Sequence, residues 1–230
     1  MINSIENLRS VKEVHEIILK AKKFFYRKNN EITLIIVSKN LSLKETKKII
    51  NQGQKNFGEN YVQEGIKKIF FFRKSKNLIW HFIGKIQSNK TKIIAENFDW
   101  CHTIDRIKIA KRLNFQRPKN KTPLNVLIQI QTESLDLEVE IFLKNLKKLV
   151  KKILTFQKLK FRGFMMMQKK EFSLEKKILN YIKIKNIFEN FRKKNKKIDT
   201  LSIGTSKDFA IAIACGSNLL RIGSLLTKSN

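Results

Sequence analysis

Glu31-Ile-Thr-Leu-Ile-Ile-Val-Ser-Lys-Asn40 is the stretch from which the chain can be read outward. Ile32 to Val37 is β-branched or leucine throughout, without the polar alternation of a strand that has one wet face. Such a run predicts a strand buried on both faces, as in a parallel sheet. It ends in Ser38-Lys39, and parallel α/β folds carry their chemistry at the carboxyl ends of their strands. Lys39 is therefore the candidate centre. In a chain with 49 lysines and arginines, a lysine after a strand is ordinarily a solvated loop residue. Lys39 gains meaning only if the rest of the chain builds a site around it.

Upstream, residues 3–28 carry Ile5, Leu8, Val11, Val14, Ile18 and Ala21 at three- and four-residue steps, the stripe of an amphipathic helix. Downstream, Ser42 and Glu45 have the spacing of a capping box, and Gly53 is placed to end that helix in the left-handed conformation. Strands are then expected at 56–57, 78–83, 98–102, 125–130, 158–164, 200–203 and 219–222. Helices between them are expected at about 61–72, 88–96, 105–114, 137–155, 174–195 and 207–215, with Asp105 as a cap. Strands mostly separated by single helices, over 230 residues, favour a single α/β domain spanning 1–230: a closed (β/α)8 TIM barrel with an additional N-terminal helix. The strands at 56–57, 98–102 and 200–203 have the weakest patterns, and without two of them an open sheet fits equally well.

The hydrophobic content of 42% supports a core, and 2 Pro and 8 Gly leave no room for long linkers. No run of 18 apolar residues marks a membrane span. Met1 to Ser10 lacks the apolar segment of a secretory signal and holds Glu6. Cys101 and Cys215 have neither metal spacing nor the numbers of a disulfide scaffold, which points to the cytoplasm. The formal charge of +30 predicts salt-sensitive attraction to polyanions. The lysines are spread over nearly every expected helix rather than gathered on one, and Lys, Asn, Ile and Phe all have AT-rich codons. A specific nucleic-acid surface is therefore not expected.

In a barrel all strand ends meet on one face. Those expected there are Lys39, Asn60, His81, Gly84, Ser202, Gly204, Ser206, Arg221, Gly223 and Ser224. They offer an amine nucleophile, an imidazole, a guanidinium and small turns whose amides and hydroxyls can hold a phosphate. A phosphorylated aldehyde would use both halves, anchoring its phosphate near the last two strands and condensing with Lys39. Singly, each residue has an ordinary reading: loop glycines, a satisfied core histidine at His81, a surface arginine. His15 and His102 read as structural or incidental.

The motifs Val37-Ser38-Lys39, Phe57-Gly58-Glu59-Asn60-Tyr61-Val62-Gln63-Glu64, Trp80-His81-Phe82-Ile83-Gly84 with Gln87-Ser88-Asn89-Lys90, His102-Thr103-Ile104-Asp105, Arg162-Gly163-Phe164-Met165, Leu201-Ser202-Ile203-Gly204 with Ser206 and Asp208, and Arg221-Ile222-Gly223 run almost the whole chain in order. On these the chain resembles the pyridoxal phosphate homeostasis protein family, also called the YggS or PROSC family, relatives of the alanine racemase N-terminal barrel. The resemblance implies a fold-type III barrel holding pyridoxal 5'-phosphate as an internal aldimine on Lys39. Ser206, Gly223 and Ser224 would hold the phosphate, Ser202 and Gly204 would shape the turn, and Asn60 and His81 would line the pocket. Arg221 would face the pyridine nitrogen, which makes the cofactor a poorer electron sink than an aspartate would. It further implies cofactor homeostasis without substantial turnover, apo pyridoxal phosphate enzymes as acceptors, and a monomer, since the racemases' second domain has no counterpart.

Three departures from the family pattern stand out. Residues 129–136, Gln-Ile-Gln-Thr-Glu-Ser-Leu-Asp, lack the usual glycine loop. Lys207 replaces an acidic or small residue. The chain ends through Ser224-Leu225-Leu226-Thr227 without the usual Phe-Gly-x-Arg tail, which leaves barrel closure open. The competing readings are a racemase-like amino-acid enzyme, for which His81 is the one local acid/base candidate, and a basic nucleic-acid-binding protein.

Overall fold

The computed structural model describes residues 10–27, 32–135, 139–169 and 171–223. Ser10 and Glu13 form a capping box that starts α1 (Val11–Phe24), and Val11, Val14, Ile18 and Ala21 are its buried stripe. Arg27 ties the end of this segment to the barrel by donating to the carbonyls of Ile213 (3.2 Å) and Ser217 (3.4 Å).

The apolar run opens as β1 (Thr33–Val37), and the expected capping box of Ser42 and Glu45 starts α2 (Leu43–Asn51). Gly53, at φ +89°, follows the helix in the left-handed conformation foreseen for it. The units then repeat: β2 (Asn56–Glu59), α3 (Val62–Phe71), β3 (Ile79–Phe82), α4 (Thr91–Asn97), β4 (Trp100–Ile104), α5 (Ile107–Gln116), β5 (Leu124–Ile130), α6 (Val139–Leu154), β6 (Leu159–Met166), α7 (Leu174–Lys194), β7 (Thr200–Thr205), α8 (Phe209–Ala214) and β8 (Leu219–Ile222). Each strand pairs in parallel with the next, and β8 returns to β1, closing the barrel. The closing pair spans Thr33↔Leu219 to Ile36↔Ile222. Residues 224–227, whose departure left closure open, lie outside the described residues, and the β1–β8 ladder forms upstream of them.

Two expectations need correction. The fourth strand starts at Trp100 rather than 98, because Phe98 closes α4 with its amide on the Ile94 carbonyl (3.1 Å). Asp105 does not cap α5: the cap is Arg106, with no side-chain cap bond, and the Asp105 carboxylate takes the Arg106 guanidinium at 2.6 Å instead.

The main apolar core lies between barrel and helices, where Leu34, Ile36, Phe57, Phe82, Phe164, Leu201, Ile203 and Ile222 meet Phe209, Ile184 and Leu113. Ile35, Leu127, Met165 and Leu219 are buried but separate from it, on the alternate residues that face the lumen. The lumen also takes polar side chains: His81, His102, Ser202 and Arg221 are each at most 3% exposed. Burying these requires that each find partners inside.

Candidate functional site

At the carboxyl rim, Lys39 is exposed and lies two residues past β1, in a turn with Asn40 at φ +66°. What fixes the strand end beneath it is a buried cluster. Ser38 Oγ donates to Glu59 Oε1 (2.6 Å), and Lys68 Nζ on α3 donates to both Glu59 Oε1 (2.9 Å) and the Ser38 carbonyl (2.5 Å). Burial pushes the Glu59 carboxyl above its usual range, against the pull of Lys68 and Ser38. Its second oxygen, Oε2, has no partner.

Asn60 follows β2 and is half-buried, with its backbone against Gly84, which follows β3. A Cβ on Gly84 would fall 1.9 Å from the Asn60 carbonyl oxygen, so only glycine fits. The Gly84 carbonyl in turn accepts from Thr103 Oγ1 at 2.6 Å.

Across the rim, β8 places Arg221 and Gly223 two residues apart and so toward the same side. The Gly223 amide donates to Ser206 Oγ at 3.2 Å, joining the end of β8 to the loop after β7. A Cβ on Gly223 would crowd Val37 Cβ at 3.1 Å, so the glycine keeps that junction open. The loop carrying Ser206 is braced by Asp208. Its Oδ1 accepts from the Thr205 amide (2.7 Å) and hydroxyl (2.9 Å), and its Oδ2 accepts from Tyr181 on α7 (2.7 Å). Burial and the Asp208 carboxylate push the Tyr181 phenol far up, so it keeps its proton and donates it to Asp208. Gly204, at φ +97°, lies where a Cβ would be 2.6 Å from Ala212 Cβ, and its lack of one lets α8 pack on β7. Ser224 lies outside the described residues, as does Asp136 of the altered loop.

Arg221 is sunk below this rim. Its Nη1 donates to the Ser202 carbonyl (2.8 Å) and hydroxyl (2.6 Å), and its Nη2 to the Met166 carbonyl (2.9 Å). Burial lowers its pKa, offset by the nearby Tyr181 and Asp208. Ser202 thus sits mid-strand as a support for Arg221 rather than shaping a turn.

His81 is the clear departure from the sequence reading. The β2–β3 ladder continues past it, with the Ile83 amide on the Glu59 carbonyl (2.9 Å), and its ring turns down the lumen, away from the carboxyl rim. Nε2 meets Asn56 Oδ1 (3.0 Å), Nδ1 meets His102 Nε2 (3.0 Å), and the ring stacks on Trp100 at 5.4 Å. Burial lowers its pKa to about 3, so it is neutral. It lines the amino-terminal mouth, a cavity of about 440 Å³ with Thr33, Asn56, Trp100, Arg162 and Asp199.

Sequence reasoning passed over His102, Tyr181 and the Glu59–Lys68 pair. Glu59 lay inside a quoted motif, and a carboxylate between buried strand residues was the available signal. Tyr181 had none, since it falls on the apolar stripe of α7 with Ile184 and Phe188.

Among the described residues no group of three or more His, Cys, Asp or Glu side chains could hold a metal ion. What the carboxyl rim offers is an exposed amine, a buried guanidinium and an amide–hydroxyl pair. These are the donor types that a phosphorylated aldehyde would use.

Comparison with known proteins places the chain in a family. The family model for the alanine racemase N-terminal domain matches residues 27–230. The pyridoxal phosphate homeostasis protein of Buchnera aphidicola subsp. Schizaphis graminum is 49% identical over 218 residues, covering 93% of this chain and 95% of that one. The protein of the same name from Escherichia coli K12 is 43% identical over 202 residues, covering 87% and 86%. In fold, the chain is similar to PipY of Synechococcus elongatus PCC7942, solved with PLP bound, at a TM-score of 0.75 and 24% identity over 90% of this chain and 98% of that one. With such identity running the length of its relatives, the chain belongs to the pyridoxal phosphate homeostasis protein family, a branch of the alanine racemase N-terminal-domain barrels.

Proposed function

We propose that the protein binds pyridoxal 5'-phosphate and serves in its homeostasis, holding the cofactor on Lys39 without substantial turnover. The observation that carries this reading is the arrangement on β8. Arg221 lies buried in the lumen, and Gly223, two residues on, meets Ser206 at the rim. Ile36 pairs with Ile222, so Lys39 leaves the neighbouring strand at the same rim. Lys39 would hold the aldehyde carbon covalently. Ser206 and Gly223, with Ser224, would hold the phosphate, Arg221 would face the ring nitrogen, and Asn60 would line the opposite wall. Ser202 supports Arg221, and Gly204 fits the strand to its helix.

Once bound, such a cofactor supplies an electron sink for amines, and a donor-only arginine at its ring nitrogen weakens that sink. A racemase-like enzyme would need a second acid/base group beside Lys39. His81, the candidate from sequence, is turned to the amino-terminal mouth and donates to nothing at the rim. That favours holding over turnover. The relatives' name supports a part in pyridoxal phosphate homeostasis.

The finer reading is that the cofactor passes to apo forms of enzymes that use it, from a monomer in the cytoplasm. No helix among the described residues is long and apolar enough to cross a membrane.

The test is to incubate the purified protein with pyridoxal 5'-phosphate, record the visible absorbance, reduce with borohydride and map the labelled peptide, with Lys39→Ala alongside. Dominant label on Lys39, lost in the variant, is the expected result. Label scattered over surface lysines and unchanged in Lys39→Ala would overturn the reading.

A further inference from the structure

The lumen below Arg221 holds more polar groups than the cofactor reading uses, and they touch in series. Arg221 Nη1 donates to Ser202 Oγ (2.6 Å). Ser202 Oγ lies 3.4 Å from His102 Nδ1, His102 Nε2 is 3.0 Å from His81 Nδ1, and His81 Nε2 is 3.0 Å from Asn56 Oδ1. The series starts under the carboxyl rim on β8, crosses β7, β4 and β3, and ends on β2 at the amino-terminal mouth.

Hydrogen counting gives it one direction. A guanidinium has donors only, so Ser202 Oγ accepts from Arg221 and its own hydrogen is free for His102 Nδ1. His102 then carries its proton on Nε2 and donates to His81 Nδ1. His81 in turn carries its proton on Nε2 and donates to the Asn56 amide oxygen. A second proton on either ring is opposed by burial, and on His102 also by His81 and the Arg221 charge. Asn56 is itself held at the mouth, where its carbonyl accepts from Gln54 Nε2 (2.7 Å).

We propose that Asn56, His81, His102 and Ser202 form one directed hydrogen-bond chain through the barrel that holds Arg221 in the orientation required by a ring nitrogen at the carboxyl rim. His102 and His81 are positioning residues in it: neither reaches the rim, and each acts through the next group. The identity of what Arg221 faces rests on the pyridoxal phosphate reading above. The chain itself rests on the hydrogen-bond distances between its members.

The experiment uses the full chain with nitrogen-15-labelled histidine. Only His15, His81 and His102 need assignment, and His15 is exposed on α1. Long-range proton–nitrogen correlation on the ligand-free protein reads the tautomers without any substitution. Both buried rings are expected to be neutral with the proton on Nε2. A proton on Nδ1 of either ring overturns the chain. Asn56→Asp then places a carboxylate at the far end. It is expected to move the His102 ring resonances, though Asn56 does not touch His102, and to shift the visible band of bound pyridoxal 5'-phosphate. Asn56→Leu removes the last acceptor and is expected to weaken cofactor binding about fivefold, the worth of one hydrogen bond. Unchanged His102 resonances in a folded Asn56→Asp overturn the proposal. A wild-type protein that binds no pyridoxal 5'-phosphate overturns the functional reading instead, and the tautomers and the His102 ring resonances of Asn56→Asp then decide the chain alone.

Discussion

Gly84 lies so close to Asn60 that a single added methyl would fall 1.9 Å from the Asn60 carbonyl oxygen. The contact couples the ends of β2 and β3 at the rim. Gly84→Ala must push the Asn60 backbone aside, at a cost near or above the upper end of the roughly 1–3 kcal/mol typical of overpacking. Urea unfolding should show the lost stability. Cofactor affinity should fall in the same variant, since Asn60 moves with its backbone. A native midpoint would mean that the two loops are not held together as described.

Glu59 and Lys68 form a buried pair behind Lys39, at 2.9 Å with side chains 0% and 6% exposed. Removing one partner strands the other charge, so Lys68→Met should destabilise by about 3–5 kcal/mol. The double variant Glu59→Leu with Lys68→Met should recover most of that loss, because no charge is left buried. Chemical denaturation of the three proteins measures it, and equal destabilisation of single and double variants would contradict the pairing.

Tyr181 holds Asp208, and Asp208 holds the loop that carries Ser206. Tyr181→Phe keeps the ring in the core and deletes the hydroxyl. The expected loss is about 1 kcal/mol of stability. The same variant should weaken competition by inorganic phosphate for the cofactor site, because Ser206 loses its support. Unaltered phosphate competition would separate Tyr181 from the site.

Acid should destabilise the protein through its buried histidines. In the unfolded chain they protonate near 6.5, whereas folded His81 resists until about 3 and His102 lies well below its ordinary value too. The stability they contribute is complete above about pH 6.5 and is lost as pH falls from there toward 3. Each histidine can remove up to about 1.4 kcal/mol per pH unit in that window. Glu59, whose folded pKa is raised, acts in the opposite sense as it takes up its proton. Urea midpoints at pH 7 and pH 5 should differ in wild type and differ less in His81→Asn, since one titrating ring is gone.

The repeating fold was legible because the apolar runs, capping boxes and Gly53 are local signals that act within a few residues. At the site, Lys39, Asn60 and Gly223 could be assigned to strand ends for the same reason. The lumen was not legible in that way. Moving β4 from 98–102 to Trp100–Ile104 takes His102 from a strand end to the middle of a strand, facing inward. His81 reads as a rim residue until its partner is known, and that partner, Asn56, comes from the other end of the neighbouring strand. The direction a side chain leans inside a barrel is set by cross-strand partners, which adjacent sequence does not contain.

Trp100, His81 and His102 fill the bore between the amino-terminal mouth and Arg221, which makes the barrel a cul-de-sac for anything seated above. A guest at the carboxyl rim departs by the doorway through which it arrived. An incoming replacement meets an occupied threshold. Arrival and departure therefore share one face, and a binder raised against that face should stall both.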